Sequence, residues 1–296
     1  MIDTALEAVL RRDRTVVTAA LVIIAVLAWV YVLWLAADMA MQHAAAPSAA
    51  VGDMAGMDMS GTDAGNMDMP GMDKGGMDMG ATMAPGFRAW APADFAFIFA
   101  MWSVMMVGMM TPSVAPMVLL YAGVGRKARA GGRPIASTAW FFTGYLLVWV
   151  AFSVVATGAQ WLLASQALLS PLMATNSTVL GGLVLIAAGL YQWTPMKGVC
   201  LQQCQAPIAF LAIHGGFRSD PLGALRFGIV HGAYCLGCCW ALMALLFVGG
   251  VMNVLWIAGI AILILLEKTV PTGQLIPRIS GTLMAAIGAW LLVQAS

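Results

Sequence analysis

Long apolar runs separated by short polar stretches organise this chain. A helix needs roughly 20 apolar residues to cross about 30 Å of hydrocarbon. Runs of that order fall at 15–37, 95–123, 138–164, 175–193, 225–248, 253–270 and 279–295. The pattern predicts an all-α, polytopic transmembrane helix bundle of about seven spans. One long polar interruption, between the first and second runs, divides the chain into three parts. These are an N-terminal stretch with an anchor span (1–37), a flexible arm (38–93) and a six-span membrane domain (94–296). Arg11, Arg12 and Arg14 precede the first run, as in a signal peptide. Its apolar stretch exceeds the roughly 7–15 residues of a signal h-region, so an uncleaved anchor is expected.

Composition agrees with this pattern. Of 296 residues 61% are hydrophobic and 9% charged, against about 25% charged in soluble domains. A formal net charge of +1, with basic residues scattered, gives no footprint for nucleic acid. With seven crossings, twelve of the fourteen Lys and Arg fall on one side, leaving Lys74 and Arg88 on the other. The positive-inside rule then places the N-terminus in the cytoplasm and the arm on the outer side of the membrane.

The arm carries a repeat. Asp53, Asp58, Asp63, Asp68, Asp73 and Asp78 recur every five residues, interleaved with Met54, Met57, Met59, Met67, Met69, Met72, Met77, Met79 and Met83. A period of five matches neither 3.6 nor 2, so neither an amphipathic helix nor a strand is expected, and the tract reads as disordered. Thioether sulfur is a soft neutral donor that selects Cu(I), and the carboxylates attract cations. Met39, Met41 and His43 extend this chemistry towards the membrane. A plain spacer would be built of Gly, Ser and Pro, and exposed methionines are open to oxidation. Metal capture therefore accounts for the composition better.

Sulfur also lies inside the spans. At 100° per residue, Met101, Met105 and Met109 form one stripe on the second span, and Met106, Met110 and Met117 form another beside it. Methionine in an apolar helix is ordinarily packing material; below a metal-capturing arm, the stripes also read as a thioether path. Pro112 and Pro116 follow and are expected to loosen local hydrogen bonding. The fifth span contains His231, Cys235, Cys238 and Cys239, all within an arc of roughly 100° on one helix face. Buried cysteine often behaves as a small hydrophobe, but three thiols and an intramembrane histidine on one arc read as a metal site. Gly228, Gly232 and Gly237 prepare that helix for close approach by another.

A second thiol pair, Cys200 and Cys204, follows Thr194-Pro195 at the inner end of the fourth span, with Met196 and His214 as reserve ligands. On the reducing side a structural disulfide is not expected there. Cys-x-x-Cys-Cys lacks the histidine of c-type haem attachment. Glu267-Lys268 reads as a snorkelling ion pair at a span end, and Asp94 as a helix N-terminal acid.

The residues Trp102-Ser-Val-Met105-Met106-x-x-Met109-Met110-x-Pro112, Tyr191-Gln192-x-Thr194-Pro195-x-Lys197-x-x-Cys200-Leu201-x-x-Cys204-x-x-Pro207 and His231-Gly232-x-x-Cys235-x-Gly237-Cys238-Cys239-Trp240 carry a family resemblance. Over residues 93–295 the chain resembles a bacterial family of predicted metal-binding integral membrane proteins. Gln205 stands where that family usually has an arginine. The resemblance implies metal binding in a membrane, without an established reaction. The methionine ladder is similar in parts to that of Ctr-type copper transporters, and the two cysteine pairs to mercuric-ion transport proteins.

Together these features point to a non-enzymatic, copper-handling protein. Its arm would capture copper and its intramembrane Met, Cys and His side chains would relay Cu(I), by transport or by delivery to a copper chaperone or metalloenzyme subunit. No Gly-x-x-x-x-Gly-Lys-Ser/Thr loop is present, which excludes an ATP-driven pump. A membrane thiol–disulfide oxidoreductase and a non-catalytic subunit of a membrane metalloenzyme complex are the alternative readings.

Overall fold

A computed structural model describes residues 2–52, 90–132, 136–169, 173–217, 219–270 and 273–295. The Met/Asp repeat, including Met57, Met59, Met67, Met69, Met77 and Met79, lies outside the described residues. Among the described residues ten helices follow in order: α1 (Ile2–Gly52), α2 (Pro92–Ala130), α3 (Thr138–Ser165), α4 (Thr178–Gln192), α5 (Pro195–Gln205), α6 (Pro207–Ile213), α7 (Pro221–Ala244), α8 (Leu246–Gly249), α9 (Val254–Thr269) and α10 (Leu275–Ala295). Among the described residues there is no strand beyond an isolated bridge between Leu169 and Thr175.

Local sequence sets several of these boundaries. Ser177, Thr194, Asp220 and Asn253 each cap a helix by accepting a backbone N–H from its first turn. Pro195 and Pro221 follow two of these caps at the first helical position, where the missing N–H costs nothing. Asp94 accepts from the Ala91 N–H at 2.8 Å, the N-terminal role expected of it. Helix α2 continues through Pro112 and Pro116 without ending.

Among the described residues five helices are long and apolar enough to cross a membrane: 15–39 within α1, 92–128 of α2, α3, the 221–249 stretch, and α10. The pair α4 and α5, bent by 65° at Thr194, makes a sixth if it is counted as one broken span. Seven were expected. The run at 175–193 yields a helix of only 15 residues, because the Thr194 cap and Pro195 start a new helix in another direction. The run at 253–270 yields 16 residues, about 24 Å at ~1.5 Å per residue. Large apolar side chains cover the outside of the bundle, among them Leu27, Val155, Leu190, Leu255 and Trp290.

Glycine contacts set how closely the helices pack. A Cβ at Gly228 of α7 would stand on the Phe141 carbonyl oxygen, and one at Gly144 of α3 on the Leu225 carbonyl oxygen. Gly232 meets Val148 and the Tyr145 carbonyl of α3 in the same way. In the second seam, Gly182 and Gly189 of α4 face Gly288 and Gly281 of α10. Backbones at this distance gain dispersion contacts along the whole seam.

One ion pair joins the helix after the bend to the core. Lys197 Nζ of α5 donates to Glu267 Oε2 of α9 at 2.6 Å, with side chains 1% and 2% exposed. Gln192 Nε2 donates to the other carboxylate oxygen at 2.9 Å, and Gln205 Nε2 to the Glu267 backbone carbonyl at 2.6 Å. This corrects the snorkelling pair expected of Glu267 and Lys268. Both side chains are buried, and they part company because successive helical residues diverge by about 100°.

Two stability tests follow. Gly228→Val is expected to destabilise the protein by about 1–3 kcal/mol or more, while Gly158→Ala, with nothing within 4 Å of the added carbon, leaves it unchanged. Thermal unfolding of the purified protein in detergent reads both. Lys197→Met strands a buried carboxylate and is expected to cost about 3–5 kcal/mol. Lys197→Met combined with Glu267→Gln should recover part of that loss; a double variant no better than the single would show that the pair does not hold α5.

Candidate metal centre

Helix α7 buries a single stripe comprising Phe227, Gly228, His231, Gly232, Cys235, Cys238, Cys239 and Leu242. The helical arc thus holds in space, and the three thiols are only 1–2% exposed. Helix α3 meets this stripe at the Gly144 and Gly228 crossing, which brings Tyr145 over Cys235. The Tyr145 hydroxyl lies 3.0 Å from Cys235 Sγ and donates to the Met110 carbonyl at 3.3 Å.

Lys268 completes the environment of Cys235. Its Nζ donates to Cys235 Sγ at 2.8 Å and to Ser113 Oγ at 3.4 Å. Ser113 in turn donates to the Met110 carbonyl at 2.9 Å and lies 4.0 Å from Met110 Sδ. One node therefore joins α2, α3, α7 and α9 around a single thiol. The linear pattern read Lys268 only as half of a snorkelling pair and gave Tyr145 and Ser113 no role. The signal was present only as charge inside an apolar run, which is costly unless it has a partner or a purpose.

The two cysteine pairs meet. Cys204 of α5 lies beside both Cys235 and Cys238. Cys200 Sγ packs against Gly237 so closely that a Cβ there would stand 2.8 Å from it. The Tyr191 hydroxyl donates to the Gly237 carbonyl and its ring packs edge-on to Trp240, seating the α4–α5 elbow on α7. All five cysteines are free thiols.

The thiols are neighbours rather than a finished cage. Cys238 and Cys239 Sγ donate to the Cys235 carbonyl at 3.0 and 2.9 Å. Among the described residues no three His, Cys, Asp or Glu side chains close around a common point. Two-coordinate Cu(I) needs only a pair, so the arrangement suits a soft monovalent ion better than a four-coordinate one.

Other predicted ligands fall elsewhere. The His231 ring is boxed by Phe141, Tyr145 and Phe210, with centroids at 5.8, 6.0 and 4.8 Å, and its Nδ1 has no partner. His214 stacks on the far side of Phe210 and bonds its carbonyl through Nδ1 at 3.0 Å. Met196 is 65% exposed, away from the buried thiols. Met101, Met105, Met106, Met109, Met110 and Met117 are all buried. Met105 and Met109 line the seam with Ala28, Trp29 and Val32 of α1. Only Met110 joins the hydrogen-bonded node at Cys235.

No protein of curated function and no solved structure matches the chain. The model of one family, PpoB2, described as a copper chaperone, does match, over residues 99–291. That range runs from α2 into α10 and contains every buried thiol and the methionine ladder, while α1 and the arm lie outside it. The metal-related bacterial family expected from the cysteine and methionine motifs is therefore one concerned with copper. The chain belongs to the PpoB2 copper-chaperone family.

Proposed function

We propose that the protein is a membrane-embedded, non-enzymatic copper chaperone that holds Cu(I) between Cys235 and Cys238 and exchanges it with Cys204 and Cys200. The observation that carries this reading is the contact between the α5 and α7 thiols in a chain of a copper-chaperone family. Sulfur-to-sulfur exchange changes the coordination of Cu(I) one ligand at a time, so neighbouring thiols pass the ion on without an energy source. Burial at 1–2% exposure suits an ion kept from water and oxidant. The α7 thiols are buried while Cys200 and Cys204 of α5 are half-buried, so exchange with a partner runs through the α5 pair.

Copper is the cargo here. The Met/Asp arm collects it outside, and its carboxylates raise the local cation concentration. The buried methionines of α2 then offer weak thioether stops between the arm and the node at Met110. Weak neutral donors suit a path, whereas thiolates suit a resting site. In this reading the arm faces the periplasm, the N-terminus faces the cytoplasm and the bundle sits in the inner membrane of a bacterium. Keeping the basic clusters together requires α4 and α9 to lie across the bilayer despite their length. The partner that gives or receives copper would be a soluble chaperone or a metalloenzyme subunit.

Competitive Cu(I) titration of the full-length reduced protein tests the proposal. Wild type is expected to bind several Cu(I), the tightest at the α7 thiols. Cys235→Ser with Cys238→Ser should abolish that tightest site, while deletion of residues 51–83 removes weaker sites only. Copper retained by the arm alone, or an unchanged tightest site in the cysteine variant, would sink the reading.

A further inference from the structure

Among the described residues two lysines are buried, and their partners differ. Lys197 meets the Glu267 carboxylate, so that pair sums to zero. Lys268 is 6% exposed, and among the described residues no carboxylate pairs with it. Its hydrogen bonds go to Cys235 Sγ and to the neutral Ser113. Tyr145, the other group on Cys235, is a phenol. Among the described residues, the thiols therefore face one ammonium that no carboxylate balances.

We propose that Lys268 sets the valence of the bound ion, because two α7 thiolates and this ammonium form a site that is neutral only around a monovalent metal. This rests on the copper reading above and extends it to the choice between ions. Ligation by Cys235 and Cys238 displaces one proton from each thiol to the buffer. Two thiolates and Lys268 then sum to one negative charge. Cu(I) or Ag(I) brings the sum to zero, whereas a divalent ion leaves one positive charge uncompensated in an apolar interior, where such charge is strongly disfavoured. Cys204 and Cys239 enter this sum as neutral thiols.

Softness alone does not make this distinction. Cadmium and mercury are soft, divalent and thiophilic, and a bare cysteine pair welcomes them. An ammonium 2.8 Å from one ligand repels the second unit of charge that they bring. Lys268 is thus a specificity-determining residue that acts through charge, without ligating the metal.

Equimolar competition between Ag(I) and Cd(II) on the full-length reduced protein in detergent tests this, at one fixed pH. Bound metals are read by mass spectrometry and Cd(II) also by its thiolate charge-transfer band. Wild type is expected to load Ag(I) in excess at the α7 thiols. Lys268→Met should shift the bound Ag/Cd ratio towards cadmium by at least about tenfold, and Lys268→Arg should keep the wild-type ratio. Ser113→Asp reaches the same charge sum from the other side of the ammonium and is expected to shift the ratio likewise, so the test survives if Lys268→Met fails to fold. An unchanged ratio in the charge-altered variants, or a shift towards silver, overturns the role of Lys268 alone. Equal loading of wild type and the Cys235→Ser, Cys238→Ser variant would instead overturn the thiol site on which it rests.

Discussion

A lysine ammonium without a partner is costly in an apolar helix bundle, and the pairing of Lys197 with Glu267 is the constraint around which the candidate metal centre is arranged. The pair fixes α5, a short polar helix with little apolar surface of its own, against α9. Gln205 ties the far end of the same helix to the Glu267 carbonyl. With both ends held, the two cysteines between them have one place to go. Cys200 lies on Gly237, and Cys204 lies beside Cys235 and Cys238. A buried ion pair adds little net stability over apolar packing, but breaking it is costly. Its value here is positional.

The glycine seams do the complementary work. The contact between α3 and α7 is close enough for backbone to touch backbone, and this distance lets a tyrosine from one helix reach a cysteine on the next. From there the bonds run to the Met110 carbonyl, to Ser113 and back to Lys268. Met110 and Ser113 share α2, and the other groups come from α3, α7 and α9. A shift of any one helix would open the network, so packing precision and chemistry are the same requirement at this point.

The sequence disclosed the ingredients of the site more fully than its assembly. Helical periodicity places His231, Cys235, Cys238 and Cys239 on one face, and they are so placed. Small residues at 228, 232 and 237 foretold close neighbours, which α3 and α5 supply. The span count did not survive, because hydropathy averages over the Thr194-Pro195 break and cannot weigh a cap against an apolar run. Glu267 and Lys268 were misjudged for a similar reason. Adjacent opposite charges look like a pair along the chain, but the helix turns them to different neighbours. Their true partners stand 70 residues away at Lys197 and 33 residues away at Cys235. Such distances are decided by tertiary packing, which no local pattern contains.

The contrast between those adjacent residues is the most informative feature of the bundle. A fold that needed only cohesion from its buried charges would give every ammonium a carboxylate, as it gives Lys197. At Lys268 it supplies sulfur instead, in a chain with Glu267 one residue away and turned elsewhere. A thiol is a poor partner for an ammonium until it becomes a thiolate, and in the interior a thiolate persists best beside a cation or a metal. The arrangement therefore holds one positive charge ready and allows the second to come from the cargo. In the proposed reading a permanent charge and a transient one share the same pair of sulfur atoms, and this balance would separate a copper site from a bundle that merely contains sulfur.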